Sequence, residues 1–270
     1  MQRLGALLFC LVAGAAMAAA QTSVGSTTSS STTTTITKDP QAIALAQKAL
    51  AAMGGLQAIA TITDSRASGT LTIAADAGSP YPITLETQGT LKMRSTLARP
   101  SGSVVRILNG GVAAVIHADD SVRKLDANNT MAQRVDHIPL LSLISEYQNA
   151  NIEITLGAAP NTFAATLIPT TALADYYRGI TKTIFTVDPN SGLITSMQFT
   201  AHGEGSMKDT YQVQIVYANY QAVNGVMVPF HQTTYENGTM TSDLVLTSIA
   251  FNVGVPDSDF TLPTEVANAN

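Results

Sequence analysis

Residues 180–200 constrain this chain more than any other stretch. Ile-Thr-Lys-Thr-Ile-Phe-Thr-Val at 180–187 alternates and is rich in β-branched residues, Asp-Pro-Asn-Ser-Gly follows at 188–192, and Leu-Ile-Thr-Ser-Met-Gln-Phe-Thr alternates again at 193–200. Two period-two runs around such a turn predict a β-hairpin. Pro189 presets the first turn residue, Asp188 bonds back to the backbone, and Gly192 takes the positive φ that closes the loop. Alternation places Phe185 and Val187 on one face of the first arm, and Leu193, Met197 and Phe199 on one face of the second. Thr181, Thr183, Ser196 and Gln198 keep both arms partly polar. An antiparallel sheet with one oily side needs a covering layer, so the question becomes what lies against that side.

The same signal recurs along the chain. Strands are expected at 65–73, 81–88, 89–96, 103–109, 112–117, 122–125, 152–156, 163–168, 210–219, 226–236 and 239–251, beside the two hairpin arms. Asn224-Gly225 and Asn237-Gly238 are strong two-residue hairpin turns, and Asn109-Gly-Gly111 is a tight turn. Residues 170–177 read either as a helical turn or as an exposed loop. Two helices interrupt the strands. Asp39-Pro40 is a cap followed by a first-turn proline, Ile43, Ala46, Leu50 and Met53 recur at helical spacing, and Gly54-Gly55 ends the helix. The second helix, at 138–148, has Asp136 as its cap, Pro139 in its first turn and Leu140, Leu141, Ile144 and Tyr147 as its stripe. These elements predict an α+β, mainly antiparallel β fold: a strongly curved open half-barrel of about ten to twelve strands with two helices on its concave side, because large twisted sheets curl as strands accumulate. No repeat period of a propeller or solenoid is present.

The first residues read as a targeting segment. Arg3 precedes an apolar run at 4–16, and Ala16-Met-Ala18 and Ala18-Ala-Ala20 are small-residue cleavage patterns, the anatomy of a secretory signal over 1–20. The run is too short to span a bilayer. Cys10 lies inside it after Phe9, which argues against a lipid-anchored cysteine. Residues 21–38 are dominated by Ser and Thr and predict a flexible tether, a single domain follows at 39–265, and 266–270 form a tail. Export to the periplasm or beyond is expected.

Composition then excludes several classes. The chain of 270 residues is 45 % hydrophobic and 12 % charged, with no tryptophan, so Val, Ile, Leu, Met and Ala must build the core. Loss of Arg3 with the leader takes the formal charge from −5 to −6, which disfavours nucleic acid and anionic membrane surfaces. Cys10 is the single cysteine, so the exported chain has no disulfide and packing alone must hold it. His117, His137, His202 and His231 show no metal-ligand spacing, and His202-Gly-Glu204 reads as a structural or solvated loop end. Asp119-Asp120 reads as a solvated pair pointing apart, and no nucleophile elbow or phosphate loop occurs. Asn128-Asn-Thr130 and Asn237-Gly-Thr239 match glycosylation sequons, which matter only on a eukaryotic export route. No enzyme, metal or cofactor is expected. Binding of an apolar ligand fits better than catalysis.

Three segments carry a resemblance. Glu86-Thr-Gln-Gly-Thr-Leu-Lys-Met93 is similar to the Gly-x-Leu-x-Val/Met strand of the periplasmic lipoprotein-carrier superfamily, the LolA/LolB-like proteins. The segment at 185–199 resembles that family's late hairpin, and Ser258-Asp-Phe-Thr-Leu-Pro263 its terminal Phe-x-x-Pro. The resemblance implies a divergent member: an open half-barrel closed by helices, binding lipid or lipoprotein acyl chains without a cofactor. Under it, Leu91 and Met93 face the cavity while Lys92 and Arg94 face away. The carriers proper read Lys-Arg-Pro where this chain has Arg94-Ser95-Thr96. Parity turns Ser95 inward, so their inward arginine, which latches a helical lid, has no counterpart.

The expected lining is Leu91, Met93, Ser95, Phe185, Val187, Met197 and Phe199, with Leu141 and Ile144 from the second helix. The expected function is that of a monomeric envelope carrier or sensor that holds acyl chains or a lipidated partner, and that also meets an envelope protein. The alternative is a secreted interaction module with a filled core that binds protein through its sheet. A hydrolase would require an acid pair or a Ser–His contact inside a cleft.

Overall fold

The computed structural model describes residues 36–89, 91–125, 151–168, 181–202 and 209–267. The expected leader, most of the expected tether, the second helix expected at 138–148 with Leu141 and Ile144, and the segment at 170–177 lie outside the described residues, as do His137, Glu204 and the 128–130 sequon.

Among the described residues thirteen strands form one sheet, against the ten to twelve counted from sequence. They are β1 (Asp64–Ile73), β2 (Pro80–Gln88), β3 (Lys92–Arg99), β4 (Gly102–Asn109), β5 (Val112–Ile116), β6 (Val122–Lys124), β7 (Ile152–Leu156), β8 (Thr162–Leu167), β9 (Thr183–Val187), β10 (Ile194–His202), β11 (Thr210–Val223), β12 (Val226–Glu236) and β13 (Thr239–Phe251). The spatial order is β6-β5-β4-β3-β2-β1-β13-β12-β11-β10-β9-β8-β7, with every neighbouring pair antiparallel. Two meanders are therefore stitched together where the first strand meets the last, and Ser65 lies opposite Phe251 at that seam.

The sheet is strongly bent and does not close into a barrel. β5 and β10 are eight places apart in the order, which on a flat sheet would separate them by roughly 38 Å at about 4.8 Å per strand. Yet Val115 of β5 and Phe199 of β10 border one hollow. Bulges contribute to the bending: the register shifts at Ser68/Gly69 on β1 and at Thr234/Tyr235 on β12. At Gly69 a Cβ would lie 2.2 Å from the Val245 carbonyl oxygen, so only glycine allows β13 to pass this close.

The turns follow the local sequence. Asn224 and Gly225 (φ 49° and 82°) and Asn237 and Gly238 (φ 47° and 81°) are paired left-handed turns between long strands. Asp188 accepts from the Ser191 N–H at 2.6 Å, the Asn190 N–H at 3.0 Å and the Ser191 hydroxyl at 2.9 Å. The Ser191 backbone bond, before the others, holds its carboxyl below the ordinary carboxylate value. One detail of the hairpin differs from simple alternation. A bulge at Thr195 brings Ile194, which is fully buried, opposite Val187, while Leu193 stays at the partly covered margin.

Helix α1 (Pro40–Ala52) covers part of the concave face. Asp39 caps it by accepting from the N–H groups of Gln41 and Ala42 at 2.8 and 3.0 Å. Its buried seam is Ala42, Ala46, Ala49, Leu50 and Met53, and small residues let the helix sit close to β7 and β8. Ile43, expected on the stripe, is at its edge. The short α2 (Gly55–Ala60) follows. Ahead of α1, Lys38 makes a parallel bridge to Ile154 on the edge strand β7: the Ile154 N–H donates to the Thr37 carbonyl oxygen at 2.9 Å and the Asp39 N–H to that of Ile154 at 2.8 Å.

The convex face has its own cover. After β13 the chain crosses the backs of β3 and β4 through a single 3-10 turn (Asp257–Phe260), and α3 (Thr264–Ala267) reaches β6. Asp64 accepts from the N–H groups of Val253 and Gly254, Arg94 donates to the Asp259 carbonyl oxygen, and Asn109 donates to that of Phe260. Phe260 is fully buried, and Val266 is buried too.

Candidate functional site

The concave face is divided into a filled part and a hollow one. Under α1, side chains from β7 to β10 pack solid: Phe163 and Phe185 stack with ring centroids 5.1 Å apart and planes 19° from parallel. Ile154, Ile194 and Met197 are fully buried beside them. Farther along, the described residues border a hollow of about 530 Å³, within the roughly 300–1,000 Å³ of small-ligand sites.

Both wings of the sheet supply its walls. Leu71 and Ile73 come from β1, Ile83 and Leu85 from β2, Leu97 from β3 and Val104 from β4; Phe199, Val213, Ile215 and Leu244 face them from β10, β11 and β13. Polar and charged groups lie among these: Ser95, Arg99, Arg106 and His117 on the β3–β5 side, and Gln232, Thr234 and Glu236 on β12. Arg106 stands directly opposite Ser95 on the neighbouring strand. Arg99 is ion-paired with Asp76 and lies over the Tyr81 ring, 5.3 Å from its centroid, but its Nε is shielded from solvent with no acceptor.

The sequence-expected lining divides accordingly. Ser95 and Phe199 border the hollow. Met93 faces the same side but is buried in a separate cluster with Leu108, Ala113, Val115 and Leu125. Phe185, Val187 and Met197 are 3, 1 and 0 % exposed, belong to the buried core and do not border the hollow. Leu91 is 48 % exposed and does not border the hollow. Gly89 turns the chain at φ 58°, and β3 begins only at Lys92, not at residue 89. Parity holds inside the strand, for Lys92 and Arg94 turn to the convex face, where Lys92 pairs with Asp257. The residues missed are those of β1, β2, β11, β12 and β13, together with Arg99, Arg106, His117 and Glu236. Arg106 carried a signal, a cation in the middle of the apolar run Val-Val-Arg-Ile-Leu.

Among the described residues, other titratable groups lie in separate places. The Ser121 hydroxyl beside Asp119 holds its carboxyl below the ordinary value, while Asp120 occupies the turn at φ 63°. His231 and Thr233 both meet Asp243, at 2.7 and 2.8 Å, in an open cross-strand cluster. His202 ends β10 and is buried, which fits the structural reading and not the solvated one, and among the described residues neither ring nitrogen is hydrogen-bonded. Burial pushes the Tyr220 phenol up; its hydroxyl donates to the Ile194 carbonyl oxygen at 2.5 Å.

No protein-family model matches the chain, and no curated protein matches it in sequence. Solved structures do match in fold. A domain described as an outer membrane lipoprotein-sorting protein from Vibrio parahaemolyticus superposes with a TM-score of 0.51 at 13 % identity, over 81 % of this chain and 95 % of that one. A DUF1329-family protein from Desulfovibrio piger gives 0.54 at 11 % identity, over 83 % and 98 %. A LolA-superfamily protein from Nitrosomonas europaea gives 0.49 at 13 % identity, over 82 % and 97 %. Identities this low establish shared architecture and leave the ligand to be argued from the site.

Proposed function

We propose that this chain, a divergent member of the LolA-like fold, is an exported envelope protein that holds acyl chains in its hollow and acts as a carrier or sensor of lipids or lipidated partners, without catalysing a reaction. The observation that carries the reading is the division of the concave face: side chains near α1 are buried in the core, while the rest borders about 530 Å³ lined by Leu, Ile, Val and Phe from both wings together with polar and charged side chains. A protein that needed only a core would gain by packing that volume as well, because each unfilled site forfeits dispersion contacts and burial. The Ala-rich leader and the Ser/Thr tether fit delivery across a membrane. The Vibrio relative by fold is described as a lipoprotein-sorting protein.

The test is organic extraction of protein purified from its native compartment, with mass spectrometry of what it releases, alongside titration with a fluorescent fatty acid. Acyl lipid in the extract and saturable uptake near one per chain are the expected results. An empty extract together with no uptake would remove the carrier reading.

A further inference from the structure

We infer that Ser95 and Gln232 hold a neutral carbonyl group, that of an ester or an amide, inside the hollow, so that its occupant is an acyl ester or acyl amide and not a bare hydrocarbon chain. The inference rests on the acyl-binding reading above and narrows its ligand class.

The polar side chains around the hollow differ in how far water reaches them. Arg106 is exposed, and Arg99, His117, Thr234 and Glu236 are half-buried, so solvent can serve them. Ser95 and Gln232 are 8 and 5 % exposed and border the same space. Among the described residues neither side chain has a hydrogen-bond partner. Their polar atoms are not sealed off as the Arg99 Nε is; what little surface they keep opens into the hollow.

The sheet presents the two from separate strands. Ser95 turns inward on β3, opposite Leu85 on β2, and Gln232 turns inward on β12 between Leu244 and Tyr217. Leu85 and Gln232 also border a narrow crevice with Ala67 and Leu246, where Ser65 and Thr87 satisfy each other, hydroxyl to hydroxyl, at 2.6 Å. Ser95 and Gln232 have no such mate among the described residues. A buried polar group without a partner costs stability, and alanine and leucine would occupy these two positions without that cost. The partner therefore belongs in the hollow.

The chemistry of the pair selects what it meets. Neither group carries a charge, so neither offsets the cost of drawing an ion inward. The Ser95 hydroxyl and the Gln232 amide N–H both donate to a carbonyl oxygen, and the Gln232 Oε1 accepts from an amide N–H. An ester or amide linkage brings these groups with hydrocarbon on either side, which the neighbouring Leu85, Leu97 and Ile215 can cover. A plain hydrocarbon leaves both side chains unpaired, and a site built this way discriminates against it.

The test uses the full exported chain and displacement of a bound fluorescent acyl probe. The competitors share one chain length and differ in the middle: octyl octanoate, N-octyloctanamide and heptadecane. The expected result is that the ester or the amide displaces the probe about tenfold better than the hydrocarbon or more. In Ser95→Ala and Gln232→Leu this preference falls towards unity, and ligand-free Gln232→Leu unfolds at a temperature no lower than the unmodified chain, since it loses a polar group that the fold does not use. Whichever of ester and amide leads supports the inference and names the linkage. Equal displacement by all three in the unmodified chain means that water serves the two side chains; it overturns the inference and leaves the acyl hollow standing. A preference that persists in both folded variants overturns the assignment to Ser95 and Gln232. Earlier unfolding of Gln232→Leu shows an amide already used by the fold and overturns its part. Failure of the probe to bind at all removes the acyl-binding reading, and this inference with it.

Discussion

Lys48 Nζ donates a 2.6 Å hydrogen bond to the carbonyl oxygen of Pro189, joining the exposed side of α1 to the turn between β9 and β10 across 141 residues of sequence. Beside it, Gly192 lies so close to the helix that a Cβ there would be 3.0 Å from that of Ala52. The hairpin turn thus fixes where the helix ends on the sheet, and with it the border between the filled and hollow parts of the concave face. The bond itself is exposed, so Lys48→Met is expected to cost no more than about 1 kcal/mol. Phe163→Ala, which empties the stack under the helix, is expected to cost roughly 3–5 kcal/mol. Urea denaturation of the two variants measures the difference.

Gly54 is the second point at which α1 is fixed. Its φ is 118°, and a Cβ would stand 2.5 Å from the Gly225 carbonyl oxygen in the β11–β12 turn, next to the Met227 N–H that donates to the Met53 carbonyl oxygen at 3.0 Å. Gly54→Ala combines a disfavoured backbone conformation with a clash against backbone, and a loss of roughly 2–3 kcal/mol is expected. Gly225→Ala meets no atom within 4 Å but keeps a φ of 82°, so it serves as the control for conformational strain alone. Equal losses in thermal unfolding would show that the close approach contributes nothing.

Filling the hollow separates lining from surface. Leu97→Trp adds bulk to a side chain on its wall and is expected to weaken acyl-probe binding about tenfold or more, since little of the volume a drug-sized ligand needs would remain. Leu91→Asp, on the exposed turn before β3, is expected to leave binding within about twofold, because single exposed apolar residues carry little. Probe titration of both variants checks the pair; weakened binding in folded Leu91→Asp would return that turn to the site.

Asp188 gives a pH dependence with a definite sign. Its carboxyl is held below the ordinary value of 3.8 by the hydrogen bonds from Ser191 and then Asn190, so the unfolded chain takes up its proton first as acid is added. The charged form's contribution is fully present above that ordinary value and is lost as pH falls through the depressed one. Asp188→Asn keeps an acceptor and removes the charge. The stability difference between the two proteins is expected to be constant above about pH 5 and to shrink below pH 4, measured by urea denaturation across that range. A difference that grows with acid would contradict the assignment.

Local chemistry in the sequence determined the elements. The cap at Asp39-Pro40, the Asn-Gly turns at 224–225 and 237–238, and the period-two runs specify helix, turns and strands through contacts only a few residues long, and β12 and β13 occur at the expected bounds. Parity within β3 was equally legible, so Ser95 and Arg94 turn the expected ways. What alternation cannot express is where a strand starts or slips: Gly89 delays β3 and exposes Leu91, and the bulge at Thr195 exchanges Leu193 for Ile194. Nor can it express which inner face stays open. Phe185, Met197 and Phe199 carry the same signal in sequence, yet α1 seals the first two into the core while Phe199 borders the hollow, because that border is set by where a helix more than a hundred residues away comes to rest. Arg99, Arg106 and Glu236 likewise become parts of one chamber only when the sheet bends, bringing strands four and five places apart around a shared space. Local chemistry selects the strands; curvature and the resting place of one helix decide which of their residues a ligand would meet.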